Sequence, residues 1–274
     1  MLEALDASAS LTLPGFGGLE ITLAVLLLLV LAGFSAGWVD AVVGGGGLIQ
    51  VPALLVLFPD MSAVQALATN KVGSIMGTST SSITYYRRIH PDMRTAAPMA
   101  VCALLASVGG AALASHIPEA ALRPIIIVVL VGVLVYTLFK PQVGTVTELR
   151  WEGNRHYGAA AGIGLAVGLY DGLLGPGTGS FLVMGLVGVI GYAFLPASAI
   201  AKIVNFATNL GALAFFVPAG HVVWGVGLVV GTANLCGAYL GARMAVAKGN
   251  RFVRIAFLVV VAALIVRLAW DILG

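Results

Sequence analysis

The sequence predicts an all-α polytopic membrane protein of two inverted repeats, each of about five segments, with broken or half-length helices at two glycine motifs. The first observation behind this prediction is composition. Of the 274 residues, 60% are hydrophobic and 9% are charged, which is too little polar surface to cover a water-soluble globule. The second is that the glycine motifs recur at a fixed distance, and the third is that the basic loops exchange places between the two halves.

Ten apolar segments divide the chain. Five fall in each half, at residues 20–40, 47–58, 62–86, 95–115 and 122–139, and at 157–174, 179–195, 198–217, 222–242 and 253–270. We therefore expect an N-terminal tail (1–19), a first transmembrane repeat (20–139), a cytoplasmic linker (140–156) and a second transmembrane repeat (157–274).

The two glycine motifs indicate an internal duplication. Asp40 lies just before four glycines in GFSAGWVDAVVGGGG, and Asp171 lies just before GPGTG in GLAVGLYDGLLGPGTG. Equivalent positions of the two motifs are 131 residues apart, and the same distance separates Lys71 from Lys202. Agreement over so many positions is typical of a repeated unit.

The glycine motifs also predict breaks in helices. The segment at 47–58 has about 12 residues, or about 18 Å of helix, and about 30 Å of hydrocarbon must be spanned. The glycine backbone should be buried in protein or face a water-filled cavity, because lipid cannot satisfy free amides. The sequence leaves open whether 47–58 and 179–195 span or re-enter the membrane.

Charge predicts how the halves are oriented. The basic loop of the first half is 87–94, whereas its counterpart, 218–225, carries only a histidine. In the second half the basic loop is 243–254, and its counterpart, 112–123, is nearly neutral. Since basic loops are cytoplasmic, the halves should have opposite orientations, as five crossings per half would also produce. We expect both termini on the outer side and a site near the midplane, as in many secondary transporters.

The sequence resembles the TauE/SafE sulfite exporter family of bacterial membrane proteins from about residue 20 to the C-terminus. The likeness is carried by the glycine run before Val51 and Pro52, by ATNK at 68–71, by GPGTGSF at 175–181, and by KIVNFATN at 202–209 followed by LGAL. It implies a multi-pass protein of the bacterial inner membrane that exports sulfite, sulfoacetate or a related organosulfur or organic anion. It does not fix which anion.

Lys71 and Lys202 are the leading candidates for substrate binding. A lysine near the bilayer centre costs about 2.5 to 3.5 kcal/mol, so both should face the protein interior. Polar residues surround them, several on the same helix face: Asn70, Ser74 and Thr78, and Asn205 and Asn209. Such donors beside a cation suit a small anion. The alternative is that the lysines extend to an interface.

Four residues of the glycine motifs are further substrate-binding candidates, namely Gly45, Gly46, Gly177 and Thr178. Free amides at the N-terminus of a half-helix can bind an anion. Close packing alone is the alternative. A phosphate-binding loop is discounted because no Gly-Lys-Ser/Thr follows.

The aspartates are candidates for proton coupling. Asp40 and Asp171 are either exposed carboxylates at helix ends or buried partners of the lysines. Our hypothesis is that protonation of one aspartate frees a lysine to hold the anion.

The predicted function is a secondary transporter that exports a small anion with the proton gradient. No HExxH or GxSxG motif suggests an enzyme, and we predict no cofactor and no metal site. The expected partners are the lipid bilayer and a small anionic substrate, without nucleic acid. A divalent metal-ion permease and a non-transporting membrane assembly protein are the alternatives. Direction, coupling ion and oligomeric state, including a homo-oligomer, stay open.

Overall fold

The structure is a computed structural model that describes residues 11–12, 18–139 and 146–273, with side chains described for 18–19, 21–122, 124–129, 132, 146–249 and 252. A small antiparallel hairpin (Leu11–Thr12 with Glu20–Ile21) precedes the helices. The first half contains α1 (Leu23–Val43), α2 (Gly47–Leu57), α3 (Ala63–Ile89), α4 (Met93–His116) and α5 (Glu119–Phe139). The second contains α6 (Gly153–Leu173), α7 (Thr178–Gly185), α8 (Phe194–Phe216) and the stretch Trp224–Leu273.

The last stretch consists of two helices. Gly249 has φ 71° and ψ −166°, which interrupts the helix, so we call residues 224–248 α9 and residues 250–273 α10. Each of the ten predicted segments corresponds to one helix, and the predicted all-α polytopic fold is confirmed. Much of the predicted tail, part of the linker (140–145) and residue 274 lie outside the described residues.

Four helices of the described chain are long and apolar enough to cross a membrane: Leu23–Val43, Met93–His116, Phe194–Phe216 and Trp224–Gly249. By contrast, α2 has 11 residues, and α7 has 8 residues before a five-residue π-helix, Leu186–Ile190. The short helices lie at the two glycine motifs, where the sequence predicted them.

The helices repeat along the chain. Each helix of the second half begins 130 or 131 residues after its counterpart in the first half. Packing repeats as well, because α1 packs against α9 and α6 against α4, while α3 packs against α9 and α8 against α4. A Cβ atom added to Gly37 would lie 2.1 Å from the Asn234 carbonyl oxygen, and one added to Gly168 would lie 2.3 Å from that of Ala103. The equivalent helix pairs thus touch through backbone in the same way.

Both short helices turn back towards the start of the preceding helix. Leu54 of α2 and Phe58, which caps α2, lie in the same core cluster as Ile21 and Leu29, so α2 returns to the end of the molecule at which α1 begins. In the second half, the π-helix lies in one cluster with the early part of α6. With 11 residues, α2 is about 16 Å long, which is too short to cross about 30 Å of hydrocarbon alone.

The linker is held against the end of the π-helix that follows α7. The amide of Arg150 donates to the Ile190 carbonyl at 3.0 Å, and the Trp151 indole donates to the Val189 carbonyl at 3.0 Å. A helix leaves its last carbonyls unpaired, and the linker supplies donors for them.

Candidate functional site

Two helix breaks form the centre of the molecule. The cap of α1 is Gly44, with φ 90° and ψ 21°, and its amide donates to the Asp40 carbonyl at 2.8 Å. Its repeat counterpart, Gly175, also has φ 90°. Glycine is the residue that adopts this left-handed conformation without steric cost. The glycine motifs therefore end their helices in the same way.

The two breaks touch each other. The Ser180 amide donates to the Gly44 carbonyl at 3.0 Å, and the Ser180 hydroxyl donates to the Val43 carbonyl at 3.3 Å. A Cβ atom on Gly44 would lie 2.4 Å from the carbonyl carbon of Gly179, which leaves no space for a side chain. The close contact brings the two halves together at their irregular backbone.

Two buried ion pairs connect the halves. Lys71 Nζ lies 2.8 Å from Asp171 Oδ1 and donates to the Asp171 carbonyl at 2.6 Å, with both side chains 2% exposed. Lys202 Nζ lies 3.2 Å from Asp40 Oδ2 and also donates to the Asp40 carbonyl. Each lysine therefore pairs with the aspartate of the other half. A buried charge that loses its partner costs about 3–5 kcal/mol, so both pairs fix the lysines in place.

Two acceptors beside the first ion pair have no hydrogen-bond partner. Asp171 Oδ1 accepts from the Thr178 hydroxyl at 2.6 Å, whereas Asp171 Oδ2 is buried and unpaired within the described residues. Asn70 Oδ1 is in the same situation. Both residues line the central cavity. Unpaired buried acceptors cost about 1–3 kcal/mol each, so this side of the site favours a donor or a proton.

The central cavity is small. It leaves about 10 Å³ for the centre of a water molecule, which is room for about one water. Most of the predicted residues line it: Asp40, Asn70, Lys71, Ser74, Asp171, Gly177, Thr178, Asn205 and Asn209. Amides and hydroxyls of both halves thus meet around one narrow space.

Four predicted substrate contacts do not line the cavity. Lys202 is buried behind it in its ion pair. The Thr78 hydroxyl donates to the Ser74 carbonyl of its own helix at 2.7 Å. Gly45 packs near Leu48, and the Gly46 amide points to Asp40 Oδ1 at 3.5 Å. The Gly46 amide of the first break therefore faces the aspartate.

Sequence analysis missed a pair of buried amide side chains. Gln50 Nε2 donates to the Asn70 carbonyl at 3.2 Å, and Asn234 Nδ2 donates to Gln50 Oε1 at 2.8 Å. These two hydrogen bonds connect α2 and α9 to the backbone of α3 next to Lys71. The repeat counterparts are Phe181 and Ala103, so only one half has this link. The available signal was an isolated polar residue in each apolar segment.

A second polar network lies at the ends of helices. The Thr95 hydroxyl lies 2.7 Å from Asp92 Oδ2 and 2.7 Å from His156 Nε2, and the Tyr192 hydroxyl donates to Asp92 Oδ2 at 2.9 Å. Burial alone would raise the pKa of Asp92, but hydrogen bonds from Thr95, Tyr192 and two backbone amides outweigh it and lower this pKa below its usual value. Burial raises the pKa of Tyr192 to about 12.

Comparison with known proteins identifies the family. The sequence profile described as "Sulfite exporter TauE/SafE" matches residues 28–268, which is most of the chain. The chain belongs to the TauE/SafE family. As a TauE/SafE protein it is a multi-pass membrane transporter, and the resemblance seen in the sequence is confirmed.

Similar proteins bear consistent names. The probable membrane transporter protein ORF9 of Sinorhizobium sp is 35% identical over 252 residues, covering 92% of this chain and 95% of that protein. A probable membrane transporter protein of Haemophilus influenzae is 32% identical over 236 residues, covering 86% and 91%. YfcA of Escherichia coli, of the same description, is 32% identical over 238 residues, covering 86% of each. No solved structure matches the chain.

Proposed function

We propose that this TauE/SafE protein is a secondary transporter that exports a small anion, such as sulfite, sulfoacetate or a related organosulfur or organic anion, with the proton gradient. The observation that carries the proposal is the pair of crossed ion pairs, Lys71 with Asp171 and Lys202 with Asp40. A lysine at this depth needs a counter-charge. In the resting protein an aspartate supplies that charge, and during transport the anion supplies it.

Proton binding at Asp171 is coupled to anion binding at Lys71. Asp171 Oδ2 is buried without a hydrogen-bond partner and is the open position on that carboxylate, because Oδ1 receives both Lys71 and Thr178. A proton on Oδ2 neutralises Asp171 and leaves Lys71 free to bind the anion. Loss of the anion and of the proton restores the ion pair.

Anion binding requires the halves to separate. The cavity has room for about one water, and sulfite is larger. Both ion pairs join residues of opposite halves, so neutralising an aspartate weakens the contact that holds the halves together. This links protonation to the relative movement of two repeats around a fixed site.

The proposed orientation places both termini outside the bacterial inner membrane. The ends of α3 and α9 carry the basic loops, and the basic linker precedes α6. Basic loops mark the cytoplasmic side. The two halves then insert as inverted repeats.

The test is transport by purified protein in proteoliposomes. Labelled sulfite, labelled sulfoacetate and a divalent metal ion are offered to the wild type and to Lys71→Met and Lys202→Met. We expect anion flux in the wild type and a loss of about 10- to 100-fold in each variant, since a hydrogen bond to a charged group contributes about 1.5–3 kcal/mol. Lys248→Met, at an exposed lysine of α9, is the control and should transport normally.

Three results would contradict parts of the proposal. Unchanged anion flux in both lysine variants removes the lysine site. Metal flux without anion flux makes the protein a metal-ion permease, and no flux of any solute favours an assembly protein. The double variant Lys71→Met with Asp171→Asn, which strands no charge, should keep the melting temperature and still lose flux, so loss of function is separated from misfolding.

A further inference from the structure

A second cavity lies on the surface of the protein, between α3 and α9. It has a volume of about 580 Å³, and the residues that define it are Thr80, Ile83, Arg87, Arg88, Tyr239 and Arg243. We call it the arginine groove. It lies near the C-terminal ends of both helices, next to the loops that are basic in each half.

Three arginines line the arginine groove. Arg87 and Arg88 come from the last turn of α3, and Arg243 comes from α9. No carboxylate of the described chain lines the groove. The Arg243 guanidinium lies 4.8 Å from the centroid of the Tyr239 ring, a cation–π contact that fixes its position. Three guanidinium groups without a lining counter-ion fit an anionic group such as a phosphate.

The rest of the groove is largely apolar, since its two other polar residues, Thr80 and Thr84, donate their hydroxyls to carbonyls of their own helix. Ile83 and Tyr239 are 52% and 46% exposed, and Val246 and Ala247 complete the wall. In a protein that crosses a membrane, exposed apolar side chains of this kind contact acyl chains. Arginines beside apolar side chains fit an amphiphile, which has an anionic group and an acyl chain, better than a soluble anion.

The arginine groove is separate from the central cavity. Thr80 follows Lys71 by nine residues, and Arg87 follows Thr78 by nine residues. Nine residues are two and a half turns of helix, so the groove lies on the opposite face of α3 from the lysine site. A ligand in the groove therefore approaches from the bilayer, not along the route to the centre.

The repeat provides an internal comparison. The positions equivalent to Arg87, Arg88 and Arg243 are Pro218, Ala219 and Ala112. The equivalent surface of the other half therefore has none of these cations, although its helices pack in the same way. The site exists at one side of the membrane only.

We propose that the arginine groove binds an anionic phospholipid, with its phosphate at Arg87, Arg88 and Arg243 and an acyl chain along Ile83 and Val246. Basic pockets between transmembrane helices at the cytoplasmic side are suited to such headgroups. The inference does not depend on which solute the protein carries.

The experiment measures lipid binding to the full chain by native mass spectrometry in detergent. Dioleoyl phosphatidylglycerol and dioleoyl phosphatidylcholine, which share their acyl chains, are titrated against the wild type and against Arg87→Gln with Arg243→Gln. We expect phosphatidylglycerol to bind more tightly, and the variant to weaken it roughly 25-fold, or roughly fivefold for each arginine removed. The control, Arg94→Gln with Arg155→Gln, removes two exposed arginines outside the groove and should bind like the wild type.

Other outcomes would overturn the inference. Equal affinity for the two lipids, or equal weakening in the control variant, means that the groove does not select the headgroup. Inorganic phosphate that competes fully at millimolar concentration makes the groove a site for soluble anions. Arg243→Gln alone, which leaves the basic loop of α3 intact, should still weaken binding roughly fivefold if the double variant does not insert.

Discussion

Asp40 and Asp171 are repeat counterparts in unequal surroundings. The Asp171 side chain is 2% exposed and the Asp40 side chain is 14% exposed. Asp171 also receives the Thr178 hydroxyl, whereas Asp40 faces the Gly46 amide at 3.5 Å. The aspartate is therefore fully buried in the second half and partly exposed in the first half.

The first prediction concerns the two aspartates. Asp40→Asn and Asp171→Asn should each abolish the extra flux that a pH gradient produces, because an amide cannot take up the proton. Anion exchange between equal pools should persist, since neither lysine is removed. The measurement compares gradient-driven flux with counterflow in proteoliposomes. Gradient-driven flux that persists undiminished in both variants would end the proton-coupling proposal.

The second prediction concerns the first glycine run. Gly44→Ala should lower the melting temperature strongly, because φ is 90° and the new Cβ would lie 2.4 Å from Gly179. Left-handed strain costs about 1–2 kcal/mol, and overpacking adds about 1–3 kcal/mol. Gly45→Ala is the matched control, since its nearest atom would be 3.4 Å away, and it should melt close to the wild type. Equal melting of both variants would refute the close contact.

Sequence alone predicted most of the residues that meet around the central cavity, but not which aspartate pairs with which lysine. Lys71, Lys202, Asp40 and Asp171 were conspicuous as charges in apolar segments. Which aspartate binds which lysine depends on how the halves pack, and both choices are equally consistent with a repeat. The Gln50 to Asn234 link was missed for the related reason that it breaks the repeat and leaves no second copy to compare.

Among the elements, α4 begins in a polar network that joins three parts of the chain. Asp92 caps the helix, and its carboxylate receives the hydroxyls of Thr95 and Tyr192. Thr95 also contacts His156 of α6. The start of α4 is thereby tied to α6 and to the loop before α8.

The third prediction is a pH dependence of this network. The folded pKa of Asp92 is lowered, so its contribution to stability is present above the ordinary aspartate pKa of about 4 and is lost as the pH falls through and below that value. Thr95→Val should lower the melting temperature at neutral pH and reduce its decline towards acid. Thr232→Val, whose hydroxyl bonds only to its own helix, should follow the wild type. Parallel pH curves for all three proteins would contradict the role of Thr95.

At the level of elements, the offset and the glycine motifs predicted ten helices and two breaks. The direction of α2 after the break was not predictable. A 12-residue apolar segment has the same sequence pattern whether its helix continues in the direction of α1 or turns back along it. The direction is decided by the core cluster that contains Phe58, Ile21 and Leu29, and these residues are distant in sequence. The π-helix at 186–190 likewise has no signal in an apolar run.

In the whole molecule, the repeat fixes the packing, and charge fixes the proposed orientation. The α1–α9 and α6–α4 contacts are equivalent, so the two halves present the same surfaces to each other. Their loops differ, since Arg88 corresponds to Ala219. The proposed orientation rests on this difference in loop charge.

The fourth prediction tests that orientation. Arg88→Cys and Ala219→Cys place single thiols at equivalent exposed positions in a background with Cys102 and Cys236 replaced by alanine. An impermeant maleimide added to intact spheroplasts should label residue 219 and not residue 88, because basic loops stay in the cytoplasm. Opened membranes should label both. Labelling of both positions, or of neither, in sealed cells would contradict the inverted arrangement.

The crossed ion pairs also bear on how the protein is synthesised. Lys71 and its partner are 100 residues apart, so at about 5–20 residues per second the aspartate follows about 5–20 s later. During that interval the central charges of the first half, Asp40 and Lys71, balance each other. Those of the second half, Asp171 and Lys202, balance in the same way. When the halves pack, the aspartates and lysines exchange partners, and no central charge is stranded during biogenesis.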